Sequence, residues 1–149
     1  MRIEEEIQQT VFRDVFQRAH VNLIFTAGWL QSQLAQRFKP FGLTLPQFNI
    51  LRILRGQHPH PASVQLLIQR MLDKTSNASR IVDKLEAKAL VTRTVCPHDR
   101  RAVDVLITAK GLALLEQIDA ADSLSRIGFQ HLTAEEATQL NTLLDRVRG

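Results

Sequence analysis

Apolar residues recur at helical spacing over the first 36 residues of the chain. Ile3, Ile7, Val11 and Val15 follow one another at every fourth position, and other apolar residues widen the same stripe. This spacing places the side chains on one face of a helix, so it predicts one long helix over residues 3–36. Such a helix has more apolar surface than one small domain can cover. It either packs across the domain or forms half of an interface.

Shorter helical patterns follow, and several begin just after a residue that can cap a first turn. Thr44 and Ser63 each precede an apolar periodic segment. Thr133 with Glu136 has the spacing of a capping box. The predicted helices cover residues 45–56, 64–71, 74–88, 108–129 and 134–147.

Between the helices lies a segment of period two. Val91, Arg93 and Val95 alternate in polarity, and the same alternation resumes at Val103. This pattern predicts a β-hairpin whose charged tip is Pro97-His98-Asp99-Arg100-Arg101, with a small extra strand near Pro61-Ala62. The predicted fold is mainly α with a small β-hairpin wing: a winged helix-turn-helix flanked by N- and C-terminal helices.

The positive charge is concentrated in the middle of the chain. Residues 37–110 carry 13 Lys and Arg against 5 Asp and Glu, whereas residues 1–36 and 111–149 are slightly acidic. This distribution favours a polyanionic partner for the middle and protein contacts for the ends. The alternative is a solvated basic face with no ligand.

Composition and length narrow the class of protein. The chain has 149 residues, of which 44% are hydrophobic and 23% charged, as expected for a single globular domain. Its single cysteine allows no internal disulfide, which predicts a reducing, cytoplasmic location. No stretch approaches the ~20 apolar residues of a membrane span. We find no Gly-rich phosphate loop, no G-x-S-x-G motif and no tyrosine, so the sequence predicts neither an enzyme nor a cofactor.

The helix predicted over residues 74–88 carries short hydrogen-bonding residues followed by long cations. In a helix-turn-helix, the N-terminal part of the second helix meets base edges in the major groove. There Asn can pair with adenine and Arg with guanine. An exposed polar helix face without a ligand is the alternative. The candidate DNA contacts are Lys74, Thr75, Ser76, Asn77, Ser79, Arg80 and Lys84.

Several segments together resemble the MarR family of transcription regulators. They are Leu43-Thr44-Leu45-Pro46-Gln47-Phe48-Asn49-Ile50-Leu51, Ser79-Arg80-Ile81-Val82-Asp83-Lys84-Leu85-Glu86, Asp99-Arg100-Arg101, Leu106-Ile107-Thr108-Ala109-Lys110-Gly111 and Leu132-Thr133-Ala134-Glu135-Glu136. The resemblance implies one domain over residues 1–149, with a DNA-binding region at 40–110 and dimerisation helices in 1–36 and 111–149. One departure is Ala89, where the family usually has Gly. The turn into Leu90 is therefore expected to be built differently.

The resemblance also assigns roles to the wing tip and to the first helix. Asp99 would orient Arg101 into a minor groove, with Arg100 available for phosphate. A carboxylate can fix an arginine rotamer in this way, although a surface ion pair at a turn is the alternative. In many relatives the first helix helps to line a pocket for an aromatic effector. Here the candidates are Phe16, His20, Phe25 and Trp29, for which core packing or dimer contact is the alternative.

Cys96 and three histidines leave two hypotheses open, one in which the protein senses an oxidant and one in which it senses zinc. Cysteines in electropositive loops can respond to oxidants. His58, His60, Cys96 and His98 are ligand types that zinc accepts.

The sequence thus predicts a ligand-responsive repressor that binds a pseudo-palindromic duplex site as a homodimer. The alternatives are a redox- or zinc-responsive regulator of the same fold, and a winged-helix module that binds protein rather than DNA.

Overall fold

The structure, a computed structural model, describes residues 1–121 and 126–149, and it describes only the backbone of Arg100 and Arg101. Its helices are α1 Ile3–Glu6, α2 Val15–Phe38, α3 Leu45–Gln57, α4 Val64–Arg70, α5 Ala78–Ala87, α6 Ala109–Ala121 and α7 Ala134–Arg148, with a 3-10 turn at Lys39–Phe41. Its strands are β1 Ala62–Ser63, β2 Val91–Cys96 and β3 Asp99–Ile107. The chain forms two compact units, a terminal unit (Met1–Leu34 and Arg126–Gly149) and a central unit (Ala35–Ser125).

The prediction of one continuous helix over residues 3–36 is wrong. α1 ends at Glu6, and Gln8 has a φ of 53°, which no helix accommodates. α2 begins anew after Asp14, whose side chain accepts a hydrogen bond from the Gln17 backbone N at 2.8 Å. Asp14 therefore acts as a helix cap, and local capping prevails over apolar periodicity.

The central unit contains nearly all of the buried apolar residues. α3 starts as predicted, because Thr44 and Gln47 form a capping box. α4 follows Ser63, whose hydroxyl accepts from the Leu66 N at 3.1 Å. Ile68 of α4 is 47% exposed. The largest fully buried side chains of this unit include Phe38, Ile50, Leu51, Leu54, Leu67, Met71, Leu85 and Leu115.

A three-stranded antiparallel sheet with the order β1-β3-β2 completes this unit. The small strand expected near Pro61-Ala62 is found at Ala62–Ser63. Val95 lies opposite Val103, yet Cys96 lies opposite Asp99. Residues 100–102 therefore form a bulge in β3 beside the hairpin turn. Bulges of this kind bend the strand in which they occur.

The terminal unit contains α1, most of α2, and α7. α7 begins at the predicted capping box, where the Thr133 hydroxyl accepts from the Glu136 N at 3.2 Å. Among the described residues of this unit, Ile3 is the only buried apolar one. The preceding helix was expected to reach residue 129. Residues 122–125 lie outside the described part, and Gly128 sits in a turn with a φ of 80°. No helix in the described residues is long and apolar enough to cross a bilayer.

Candidate nucleic-acid interface

The helix expected to enter the major groove, α5, begins four residues later than predicted. It starts at Ala78, and the Asn77 side chain accepts from the Arg80 backbone N at 3.1 Å. The expectation that Lys74, Thr75 and Ser76 lie on the helix is therefore wrong. Asn is a preferred N-cap residue, and its position marks the true start.

The turn before α5 is organised by Asp73, a residue that the sequence analysis overlooked. Its carboxylate accepts from the Thr75 N at 2.9 Å, the Thr75 hydroxyl at 2.6 Å and the Ser76 hydroxyl at 2.9 Å. These hydrogen bonds, that of the Thr75 hydroxyl foremost, hold the pKa of Asp73 below its usual value. The short spacing Asp-x-Thr-Ser is the sequence pattern of such a turn. Lys74 Nζ is also engaged, because it donates to the Gln69 carbonyl oxygen.

One face of α5 is exposed and cationic. Ser79, Arg80 and Lys84 are exposed, whereas Val82 and Leu85 are buried on the opposite face. Within residues 1–121 and 126–149, the guanidinium of Arg80 and the ammonium of Lys84 have no protein partner. Both groups are therefore available to an anionic ligand.

Arg93 of β2 links the wing to α5. Its Nη1 lies 2.6 Å from Asp83 Oδ1, and its Nε donates to Glu86 Oε2 at 2.8 Å. This pair of contacts offsets two acidic residues of α5 and fixes the hairpin against the helix. No role for Asp83 or Glu86 was predicted from the sequence.

The tip of the wing carries the second predicted set of contacts. Asp99 is exposed and begins β3 directly after Pro97 and His98. The side chains of Arg100 and Arg101 lie outside the described part, so the pairing of Asp99 with Arg101 stays a prediction.

The end of α5 is built on a left-handed residue. Ala89 has a φ of 58°, and the Leu90 N donates to the Leu85 carbonyl oxygen at 3.0 Å. This is the turn that a glycine normally forms. The expectation of a different turn at Ala89 is therefore wrong, because alanine adopts the same conformation at a cost in strain.

The Thr108-Ala109-Lys110-Gly111 segment holds this turn in place. The Thr108 hydroxyl donates to the Ala89 carbonyl oxygen at 2.8 Å, and Lys110 Nζ donates to the Lys88 carbonyl oxygen at 3.0 Å. A Cβ on Gly111 would lie 2.5 Å from the Leu90 carbonyl oxygen, so no larger residue fits. Lys88 Nζ donates to Gln47 Oε1 at 3.0 Å and to the Gly42 carbonyl oxygen.

The residues predicted to line an effector pocket lie along α2. Phe16 is 81% exposed and His20 is exposed, whereas Phe25 and Trp29 are half-buried. The ring of Trp29 lies beside Gly128, where a Cβ would come within 3.1 Å of Trp29 Cζ3. Whether the four side chains bind an effector stays a prediction.

The two sensing hypotheses gain no support from the described residues. Cys96 is half-buried and its thiol is free. In the part of the chain that the structure describes, no three His, Cys, Asp or Glu side chains come together as metal ligands. This holds for His58, His60, Cys96 and His98.

Comparisons with known proteins find one family model and several solved structures that are similar to this chain. Residues 41–102 match the model of the MarR family. A MarR transcription factor from Planctomyces limnophilus is 29% identical with a TM-score of 0.69, covering 91% of this chain and 98% of that chain. A mutant MarR from E. coli in complex with operator DNA is 25% identical with a TM-score of 0.75, covering 90% and 98%. BpsR from Bordetella bronchiseptica, whose DNA binding is regulated by 6-hydroxynicotinic acid, is 23% identical with a TM-score of 0.74, covering 89% and 99%.

Proposed function

This chain belongs to the MarR family, and from that premise we propose that it is a ligand-responsive repressor that binds duplex DNA as a homodimer. The observation that carries the proposal is the exposed face of α5, where Arg80 and Lys84 have no protein partner in the described chain. Free cations on a helix that is rigidly held by its other face suit a polyanion. The DNA complex of the E. coli relative supports the same choice of partner.

We assign base recognition and binding of the DNA backbone to different residues of α5. Ser79 and Arg80 lie in the first turn, where a groove-bound helix approaches base edges. Lys84 lies one turn later, nearer to the backbone of a bound duplex. Asn77 uses its Oδ1 to cap the helix, so its amide NH₂ remains as a donor. The hydroxyls of Thr75 and Ser76 are committed to Asp73 as donors and can act only as acceptors towards DNA.

The wing contributes a separate contact. We assign Arg101 to the minor groove, with Asp99 orienting it and Arg100 reaching a phosphate. The bulge at residues 100–102 supports this assignment, because it turns this part of β3 away from regular pairing. A narrow, electronegative minor groove favours an inserted arginine.

The terminal unit supports the homodimer. Val15 is 73% exposed, Leu143 54% and Val147 71%, although all three are large apolar residues. An apolar surface of this kind is typical of a protein interface. A second copy of the chain would cover it, and two α5 helices would then meet half-sites roughly 34–36 Å apart, or a multiple of that distance.

We also propose that a small-molecule effector binds along α2. Phe16, His20, Phe25 and Trp29 present aromatic surface along α2, and aromatic side chains commonly line small-molecule sites. The regulation of BpsR by 6-hydroxynicotinic acid supports an aromatic effector.

The test compares two substitutions on α5. Duplexes selected from random DNA by the purified protein provide the operator, and fluorescence anisotropy measures its affinity at several salt concentrations. Arg80→Ala should relax the preference at one base position. Lys84→Ala should weaken all sequences equally and reduce the salt slope by about one unit. Binding that shows no sequence preference and no salt dependence would favour a winged-helix module that binds protein instead.

A further inference from the structure

A cleft of about 370 Å³ lies beside the C-terminal end of α5, within the central unit. Its volume falls in the range of about 300–1,000 Å³ that is typical of small-ligand sites. It is separate from the aromatic residues of α2. Its lining includes Phe41, Leu90, Leu114, Lys88, Lys110 and Gln117.

Two ammonium groups line this cleft. Lys88 Nζ donates to the Gly42 carbonyl oxygen and to Gln47 Oε1, while Lys110 Nζ donates to the Lys88 carbonyl oxygen. An ammonium has three N–H donors, so the described residues leave one donor unused on Lys88 and two on Lys110. Neither lysine forms an ion pair with any residue that the structure describes. The cleft therefore carries positive charge and has unused hydrogen-bond donors.

The backbone acceptors at this end of α5 are already occupied. The carbonyl oxygens of Leu85 and Glu86 accept from the N–H groups of Leu90 and Ala89. The carbonyl oxygens of Ala89 and Leu90 accept from the hydroxyl and the N–H of Thr108. Because the cleft has unused ammonium donors and no acidic side chain among its lining residues, a ligand with acceptor atoms and negative charge fits it. The apolar side chains Leu90 and Leu114 call for an apolar body behind that charge.

We propose that this cleft binds a small organic monocarboxylate, with its carboxylate between Lys88 and Lys110 and its apolar body against Leu90 and Leu114. A ligand held there touches the residues that end α5. It therefore adds to the proposed function a second place at which a small molecule can reach the DNA-binding helix.

The experiment is a titration of the full ¹⁵N-labelled chain with benzoate, followed by NMR in the absence of DNA. The backbone amides of Gly42, Leu90 and Lys110 should shift and saturate. Benzamide has the same shape without the charge, and it should bind at least about tenfold more weakly, because charge-assisted hydrogen bonds are lost. Lys110→Gln should weaken benzoate by about tenfold, and Lys110→Arg should retain binding.

Lys39→Gln serves as the matched control, since Lys39 is an exposed lysine of the same unit and does not line the cleft. Its benzoate affinity should equal that of the wild type. Equal affinity for benzamide, unchanged binding by Lys110→Gln, or shifts centred elsewhere in the chain would each overturn the proposal. Because no DNA is present, failure of the DNA-binding proposal would leave this result unaffected.

Discussion

Ala89 has a left-handed backbone conformation, which the Cβ atom of an L-residue disfavours. The left-handed region costs an L-residue roughly 1–2 kcal/mol, yet the turn is kept by the hydrogen bonds around it. Ala89→Gly should therefore raise the free energy of unfolding by about 0.5–1 kcal/mol, after the greater flexibility of unfolded glycine is subtracted.

Urea denaturation followed by circular dichroism measures this change. The matched control is Ala87→Gly, since Ala87 is the last residue of α5 and has an ordinary helical backbone. There the same exchange should lower stability. A loss of stability in Ala89→Gly as large as that of the control would mean that the turn is not strained.

At Gly111, close neighbouring atoms exclude a larger side chain, whereas the backbone conformation does not. An added Cβ would lie 2.5 Å from the Leu90 carbonyl oxygen and 2.7 Å from Ile107 Cγ1. Gly111→Ala should therefore destabilise the protein by about 1–3 kcal/mol, as overpacking does. Gly56→Ala is the control, because nothing lies within 4 Å of the added atom there and alanine favours the helix by up to about 1 kcal/mol. The two variants should shift the thermal midpoint in opposite directions.

At the scale of elements, the turn before α5 is expected to be sensitive to acid. The hydrogen bonds from Thr75 and Ser76 lower the pKa of Asp73 in the folded protein. Their contribution is therefore complete above the ordinary aspartate pKa of about 3.9 and is lost as the pH falls through the lowered value. Hydrogen exchange of the Thr75 amide should accelerate across this acidic window. Asp73→Asn should show weak protection already at neutral pH, and unchanged protection in this variant would contradict the role of the carboxylate.

The wing is predicted to sense the sequences that flank the operator. Arg101→Ala should lower DNA affinity and remove any preference for A·T-rich flanks, since the narrow minor groove attracts the arginine. Asp99→Ala should have a milder effect, because it removes the orienting carboxylate and keeps the guanidinium. Anisotropy titrations with A·T-rich and G·C-rich flanks distinguish the two. Unchanged behaviour of Arg101→Ala would mean that the wing stays outside the groove.

Elements with two agreeing local patterns could be predicted from the sequence. α3 and α7 combine apolar periodicity with a capping box, and both start where expected. α2 and α5 were misplaced because periodicity was extended through capping residues, Asp14 and Asn77, that start new helices. The cationic face of α5 was predictable from residue types. The Arg93 contacts and the lysine cleft were not, because they join residues that only the folded chain brings together.

For the whole molecule, the exposed apolar residues of the terminal unit predict the state of assembly. Sedimentation equilibrium should give about twice the chain mass of 16.9 kDa. Leu143→Glu should shift the equilibrium towards the monomer, because it places a charge on the proposed interface. Ile68→Glu is the control, since Ile68 is similarly exposed, at 47%, but belongs to the central unit. A wild-type monomer at micromolar concentration would contradict the homodimer.

The junction of α5 and α6 has a mechanical consequence. Hydrogen bonds from Thr108 and Lys110 and the close approach of Gly111 join the start of α6 to the turn that ends α5. Close-packed contacts of this kind transmit strain. α5 has ten residues and is about 15 Å long, and Leu90 lies just beyond its C-terminal end. If α5 turned with α6 about Leu90, a rotation of about 10° would move Ala78 by roughly 2–3 Å. That distance is close to the length of a hydrogen bond, so on the proposed function such a rotation would take Arg80 out of register with a base.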